Sequence, residues 1–96
     1  MSYYATGKIK IAKHAVVRAK ERIPGLKKLS DLECDIKINQ IANEAYESRN
    51  IFIFSNPDES KIYYLIDSSY WVNNKPICMV FKKSENLVVS FIYAKN

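Results

Sequence analysis

His14, Arg18 and Arg22 are the residues of this chain whose types and spacing suit chemistry best. They recur at steps of four in KIKIAKHAVVRAKER, residues 8–22. In an α-helix each such step turns about 40° around the axis and rises about 6 Å, so the three side chains form a slowly turning row about 12 Å long. One imidazole followed by two guanidiniums can act on a phosphodiester without a metal. RNA cleavage by that route needs a base for the 2′-hydroxyl proton, cations for the charge building on the phosphate, and an acid or cation at the leaving oxygen. A histidine such as His14 can be base or acid, because an ordinary imidazole titrates near neutrality. Arg18 and Arg22 can grip phosphate oxygens bidentately. Lys82, Tyr93 and Lys95, near the end of the chain, are candidates for the remaining roles.

Other motifs are missing. There is no GxGxxG, P-loop, GxSxG or HExxH. Glycine occurs only twice, which argues against a backbone cradle for nucleotide phosphates, and the single histidine excludes a two-histidine nuclease mechanism. No CxxC or Cys/His cluster supports a metal, and no cofactor is expected. Plainer roles also fit the singled-out residues. His14 can begin or cap its helix, and Arg18 and Arg22 can pair with Glu21 or with acids of a second helix. Tyr63, Tyr64 and Tyr93 suit sheet packing as well as base stacking. Trp71, in a loop beside Tyr70 and Asn73-Asn74, is either a binding hot spot or a lid on the core.

The elements that must position these residues follow from the pattern. Ninety-six residues make one domain, and 48% hydrophobic content can build a core. Residues 1–6 show no period and read as a loose arm, in which Tyr3 and Tyr4 can pack or stack. Ile9 and Ile11 alternate with Lys8, Lys10 and Lys13, as in a half-buried strand with an open lysine face. Ala15, Val16, Ala19 and Ile23 give a helix from His14 to Ile23 its apolar side, and Pro24-Gly25 ends it. Ser30-Asp31-Leu32-Glu33 fits a capping box opening a second helix to about Ser48. Its early acids suit the helix dipole and need no catalytic explanation. Strands are then expected at 51–55 (buried), 61–67, 77–83 and 87–93, with a longer loop over 68–76. The order β-α-α-β-β-β-β implies an α+β fold: a mostly antiparallel sheet with both helices on one face.

Charge is unevenly spread over a net +5. Residues 1–28 carry eight Lys/Arg against Glu21 alone, residues 29–60 carry Lys37 and Arg49 against seven acids, and residues 61–96 carry five lysines against Asp67 and Glu85. One positive surface is implied, fit for nucleic acid or an acidic partner. Lys8, Lys10, Lys13, Trp71 and Lys95 are its candidate contacts. Cys34 and Cys78 each sit among apolar residues and read as buried free thiols of a reducing compartment. No apolar leader or membrane-length run occurs, so a soluble cytoplasmic protein is expected.

With its strand, histidine and spaced arginines at KIKIAKHAVVRAKERI, residues 8–23, the chain resembles the small toxins of the RelE, ParE and BrnT type, which share a barnase- and RelE-like fold. The nearest likeness is to relatives from phages and mobile elements. The second helix and the ending PICMVFKKSENLVVSFIYAK match the same layout. The resemblance implies RNA cleavage, often on the ribosome, or gyrase inhibition in the ParE branch, and an antitoxin partner. By position His14, Arg18 and Arg22 match the helix-one motif, while Lys82 and Tyr93 occupy the late strands where such toxins keep basic and tyrosine residues. The family's usual late arginines are absent, since none follows Arg49. The function expected first is therefore a metal-independent ribonuclease toxin. The alternative is a non-catalytic phage- or element-encoded protein that inhibits a host defence or nucleic-acid enzyme. A ligand-binding domain that assembles as a homodimer through an edge strand is a third reading.

Overall fold

Local chemistry sets the element boundaries. The computed structural model describes residues 9–94, so the 1–6 arm with Tyr3 and Tyr4, and the candidates Lys8 and Lys95, lie outside the described residues. Strand β1 (Lys10–Ile11) passes through Ala12 into helix α1 (Lys13–Arg22). Ile23 then turns extended, as a residue before proline must, and Gly25 takes a φ of 87° that a side chain would strain. A 3-10 turn, Leu26–Lys28, leads to helix α2 (Asp31–Ser48). The capping box is present: the Ser30 hydroxyl accepts from the Glu33 N–H at 3.2 Å, and the Ser30 N–H donates to the Glu33 carboxylate at 3.0 Å.

Those bonds, the one from the Ser30 backbone first, hold the Glu33 carboxyl below its ordinary 4.5. A depressed carboxyl favours folding only while ionised. Its contribution is thus present above pH 4.5 and fades as the pH falls through the lowered value. Ser30→Ala is expected to cost about 1 kcal/mol at neutral pH. In thermal unfolding of a domain this size that reads as a fall of about 4–8 °C. An unchanged midpoint would show that α2 does not depend on its cap.

Strands β2 (Lys61–Leu65), β3 (Ile77–Lys82) and β4 (Leu87–Tyr93) complete a four-stranded sheet in the order β1-β4-β3-β2. The β2–β3 and β3–β4 pairs are antiparallel, but β1 runs parallel to β4, so the sheet is mixed. A strand that leads directly into a helix packed along β4 arrives in that direction. The 3-10 turn Lys83–Glu85 joins β3 to β4, and the longer segment 66–76 joins β2 to β3. Asn73 and Asn74 both take positive φ in the two-residue turn bridging Val72 and Lys75, and Asn86 does so before β4.

One expected strand does not form. Residues 51–55 were expected to be a buried strand, yet only Ile51 bridges Tyr64, and Ile51 and Ile53 are 48% and 73% exposed. The Phe52 N–H bonds the Tyr63 carbonyl and the Leu65 N–H bonds the Asn50 carbonyl, and these two bonds frame the bridge at Ile51. The apolar run IFIF is instead satisfied on one side by ring contacts of Phe54 with Phe52 and Tyr63 at 4.8 and 4.7 Å.

Both helices cover one face of the sheet. Ala15, Ala19 and Ile23 of α1 and Cys34, Ile38, Ile41, Ala42 and Ala45 of α2 share a core with Tyr64, Met79, Phe81, Val88 and Phe91. Alternation along β3 sends Ile77, Met79 and Phe81 to that face and Cys78, Val80 and Lys82 to the other. Cys34 and Cys78 are free and buried, and burial pushes the Cys78 thiol up to about 12, so neither is a ready nucleophile. Asn39, in α2, is buried too. Its amide donates to the Asp35 carbonyl while its Oδ1 has no partner. Among the described residues no helix is long and apolar enough to cross a membrane.

Candidate functional site

Helix α1 lies along β4, because Ala15, Ala19 and Ile23 must be buried. The His14–Arg18–Arg22 row occupies one flank of the helix and rolls toward the sheet as it advances. His14 is exposed. Arg18 donates from Nε to His14 Nε2 at 3.3 Å, and its Nη1 pairs with Glu21 Oε1 at 2.9 Å. In this arrangement His14 Nε2 is the acceptor, so its lone pair is turned toward Arg18 and must leave that bond before it takes a proton. Glu21 orients Arg18 rather than burying it. Such an exposed ion pair adds little to stability.

Arg22 comes last in the row and is held more firmly. Its Nη1 donates to the Phe91 carbonyl at 2.8 Å. β1 pairs with β4 only at Leu87 and Val88, so the Phe91 carbonyl lies on a part of β4 that no described strand covers on that side. The guanidinium caps that edge and keeps its other donors. Its Cζ lies 5.8 Å from the centre of the Tyr93 ring, and Lys75 Nζ lies 6.0 Å from the same ring. These distances are at the outer limit of cation–π attraction. Beside them is an open groove of about 350 Å³ lined by Lys20, Arg22, Lys27, Lys28, Val72 and Tyr93, among others. Lys20 reaches Asp31 at 3.4 Å, but Asp31 is almost fully exposed and neutralises it weakly.

The sequence candidates therefore fall into three places. His14 joins Arg18, and Arg22 joins Tyr93 at the far end of the same flank. Lys82 stands apart: its register opposite Lys61 and Leu87, with Leu87 opposite Lys10, sets these residues on the sheet face away from the helices. There Lys82 binds Glu85 at 2.6 Å, and this bond keeps the ammonium above its ordinary value. Lys82 is thus a cation and not a proton donor near neutrality. Lys10 and Lys13 are exposed at the start of α1's approach.

Trp71, expected in a loop as a binding hot spot or a lid on the core, lies there half-buried. It packs against the core, and its Nε1 donates to the Ile66 carbonyl at 3.0 Å. It lines a different cleft, of about 560 Å³, with Glu44, Ser48, Asp67, Ser68 and Tyr70. Glu44 and Asp67 make that cleft unsuited to phosphate. Lys37 lies 5.2 Å from the Tyr70 ring, which places a cation close by. Ser69 caps Asp67 through both its N–H and hydroxyl, and the carboxyl is lowered accordingly.

Sequence reasoning missed the groove lysines Lys20, Lys27 and Lys28 as a group, and Lys75 altogether. The first three were readable as a basic cluster around the Pro24-Gly25 turn. Lys75 reaches Tyr93 only through the β3–β4 hairpin, and nothing in its own neighbourhood marks it. Among the described residues no three His, Cys, Asp or Glu side chains gather as a metal site. No known protein family, curated protein or solved structure matches this chain. The geometry of its own residues must carry the functional reading.

Proposed function

We propose that the protein acts on RNA through the exposed flank of α1, as a metal-independent ribonuclease of the toxin type. His14 moves the proton and Arg18 and Arg22 hold the phosphate. The observation that carries this reading is the bonded set His14–Arg18–Glu21 continuing into Arg22. An exposed imidazole sits against an oriented guanidinium, and a second guanidinium is fixed one turn further on. Proton transfer at the 2′-hydroxyl and cationic support of the phosphate both fall within that row. The lysine-lined groove past Arg22 offers further positive charge to the RNA backbone, and Tyr93 presents a ring there for a base. The resemblance of residues 8–23 to the RelE, ParE and BrnT toxins favours the same reading, with an antitoxin as natural partner and the cytoplasm as place of action.

Salt dependence of RNA binding tests the surface. Each phosphate contact releases counterions, so affinity for single-stranded RNA should fall steeply as salt rises. Arg22→Ala should flatten the log–log slope by about 0.7–1. Affinity that is flat in salt would contradict the proposal and favour a non-catalytic role against a protein partner.

A further inference from the structure

The two edges of the sheet are treated differently. At the α1 side, exposed Lys10 marks β1 and Arg22 occupies the Phe91 carbonyl, both devices that discourage a further strand. At the other side the segment 50–54 runs beside β2 with no such guard. Asn50 and Phe52 spend their backbone bonds on β2. Those two bonds bracket Ile51, whose N–H and C=O therefore point outward, and no described element runs along that side. Between Arg49 and Asp58 the segment has no charged residue. Its side chains are apolar on both faces: Phe52 meets Phe54 edge-on and Phe54 meets Tyr63 edge-on, and Ile51 and Ile53 are left 48% and 73% exposed. A continuous apolar run is the pattern of a strand buried on both faces, which this chain alone does not provide.

We propose that this edge pairs with the same edge of a second copy, antiparallel across a two-fold axis, joining two sheets into one. The charges at its ends select that occupant. Arg49 stands at one end and Glu59 at the other, where Asp58 is already held by Lys61 at 3.2 Å and by Ser60. An antiparallel two-fold pairing of 50–54 brings Arg49 of each copy toward the turn that carries Glu59 in its partner, past the neutral residues of the segment. The interface is thus isologous and self-complementary. It covers Ile51 and Ile53 and leaves the α1 flank of each copy facing outward from the opposite edge, so the dimer carries two copies of that flank. The inference does not depend on what α1 binds.

Sedimentation of the full chain over a range of concentrations tests it. The wild type is expected to be a dimer at high concentration. Ile53→Lys sets two ammoniums near the axis and should weaken the dimer by about tenfold or more, with the circular dichroism unchanged because Ile53 is exposed. Arg49→Glu should also weaken it, and Arg49→Glu with Glu59→Lys should restore it. That exchange keeps the proposal testable even if Ile53→Lys does not fold. A wild type that stays monomeric overturns the proposal. So does a dimer indifferent to both Ile53→Lys and Arg49→Glu, or a complex in which a strand of another protein occupies the edge and no dimer forms.

Discussion

His14→Ala is expected to lower the rate of RNA cleavage by about 100- to 10,000-fold, the usual contribution of a positioned proton-transfer group. The fold should be untouched. His14 is exposed, and its recorded bond is the one it accepts from Arg18. Arg18→Ala should be damaging for a different reason. It removes both the cation and the group that fixes the imidazole, while freeing Glu21 to place a negative charge beside the phosphate. Arg18→Lys keeps charge but loses the planar fork that spans His14 and Glu21, so it should rescue binding better than turnover. The check is cleavage of single-stranded RNA by each variant, with binding measured separately. Equal cleavage by wild type and His14→Ala would remove the imidazole from the reaction.

Phe91→Ala should have the largest effect on stability. Phe91 is fully buried on β4, beneath α1, and is among the largest side chains of the core. Truncating such a ring leaves a cavity and costs about 3–5 kcal/mol. Small domains hold only about 5–15 kcal/mol in total, so the variant should unfold at much lower denaturant or temperature. The carbonyl of the same residue holds Arg22. Movement of β4 around the cavity should therefore loosen the row as well, and RNA binding should weaken even where the variant stays folded. Denaturant unfolding together with RNA binding separates the two effects. A stability loss below about 1 kcal/mol would mean that the core closes around the gap.

Much of the frame was legible because it depends on neighbours in sequence. Ser30 and Glu33 specify the start of α2, and Pro24-Gly25 the end of α1. The apolar spacing of Ala15, Ala19 and Ile23 specifies which side of α1 is buried. The same spacing sets His14, Arg18 and Arg22 on one flank. The rest was not legible, because distant partners decide it. The run IFIF has the composition of a buried strand, but no described strand lies beyond it, so only a bridge forms at Ile51. Trp71 sits among loop residues, yet the Ile66 carbonyl and the core draw it inward. Lys82 shares the late strands with Tyr93, and the parity of β3 and β4 sends the two to opposite faces of the sheet. Asn39 lies in a helix whose apolar face is otherwise regular, and its burial with an unpaired Oδ1 has no signal in sequence.

Action of α1 on RNA is the central proposal. The most direct test is growth of cells expressing the wild type or the His14→Ala, Arg18→Ala double variant, with total RNA and translation followed after induction. Arrest and RNA loss with the wild type, relieved by the double variant at equal protein level, is the expected result. Normal growth with intact RNA, or arrest that the double variant does not relieve, would contradict it.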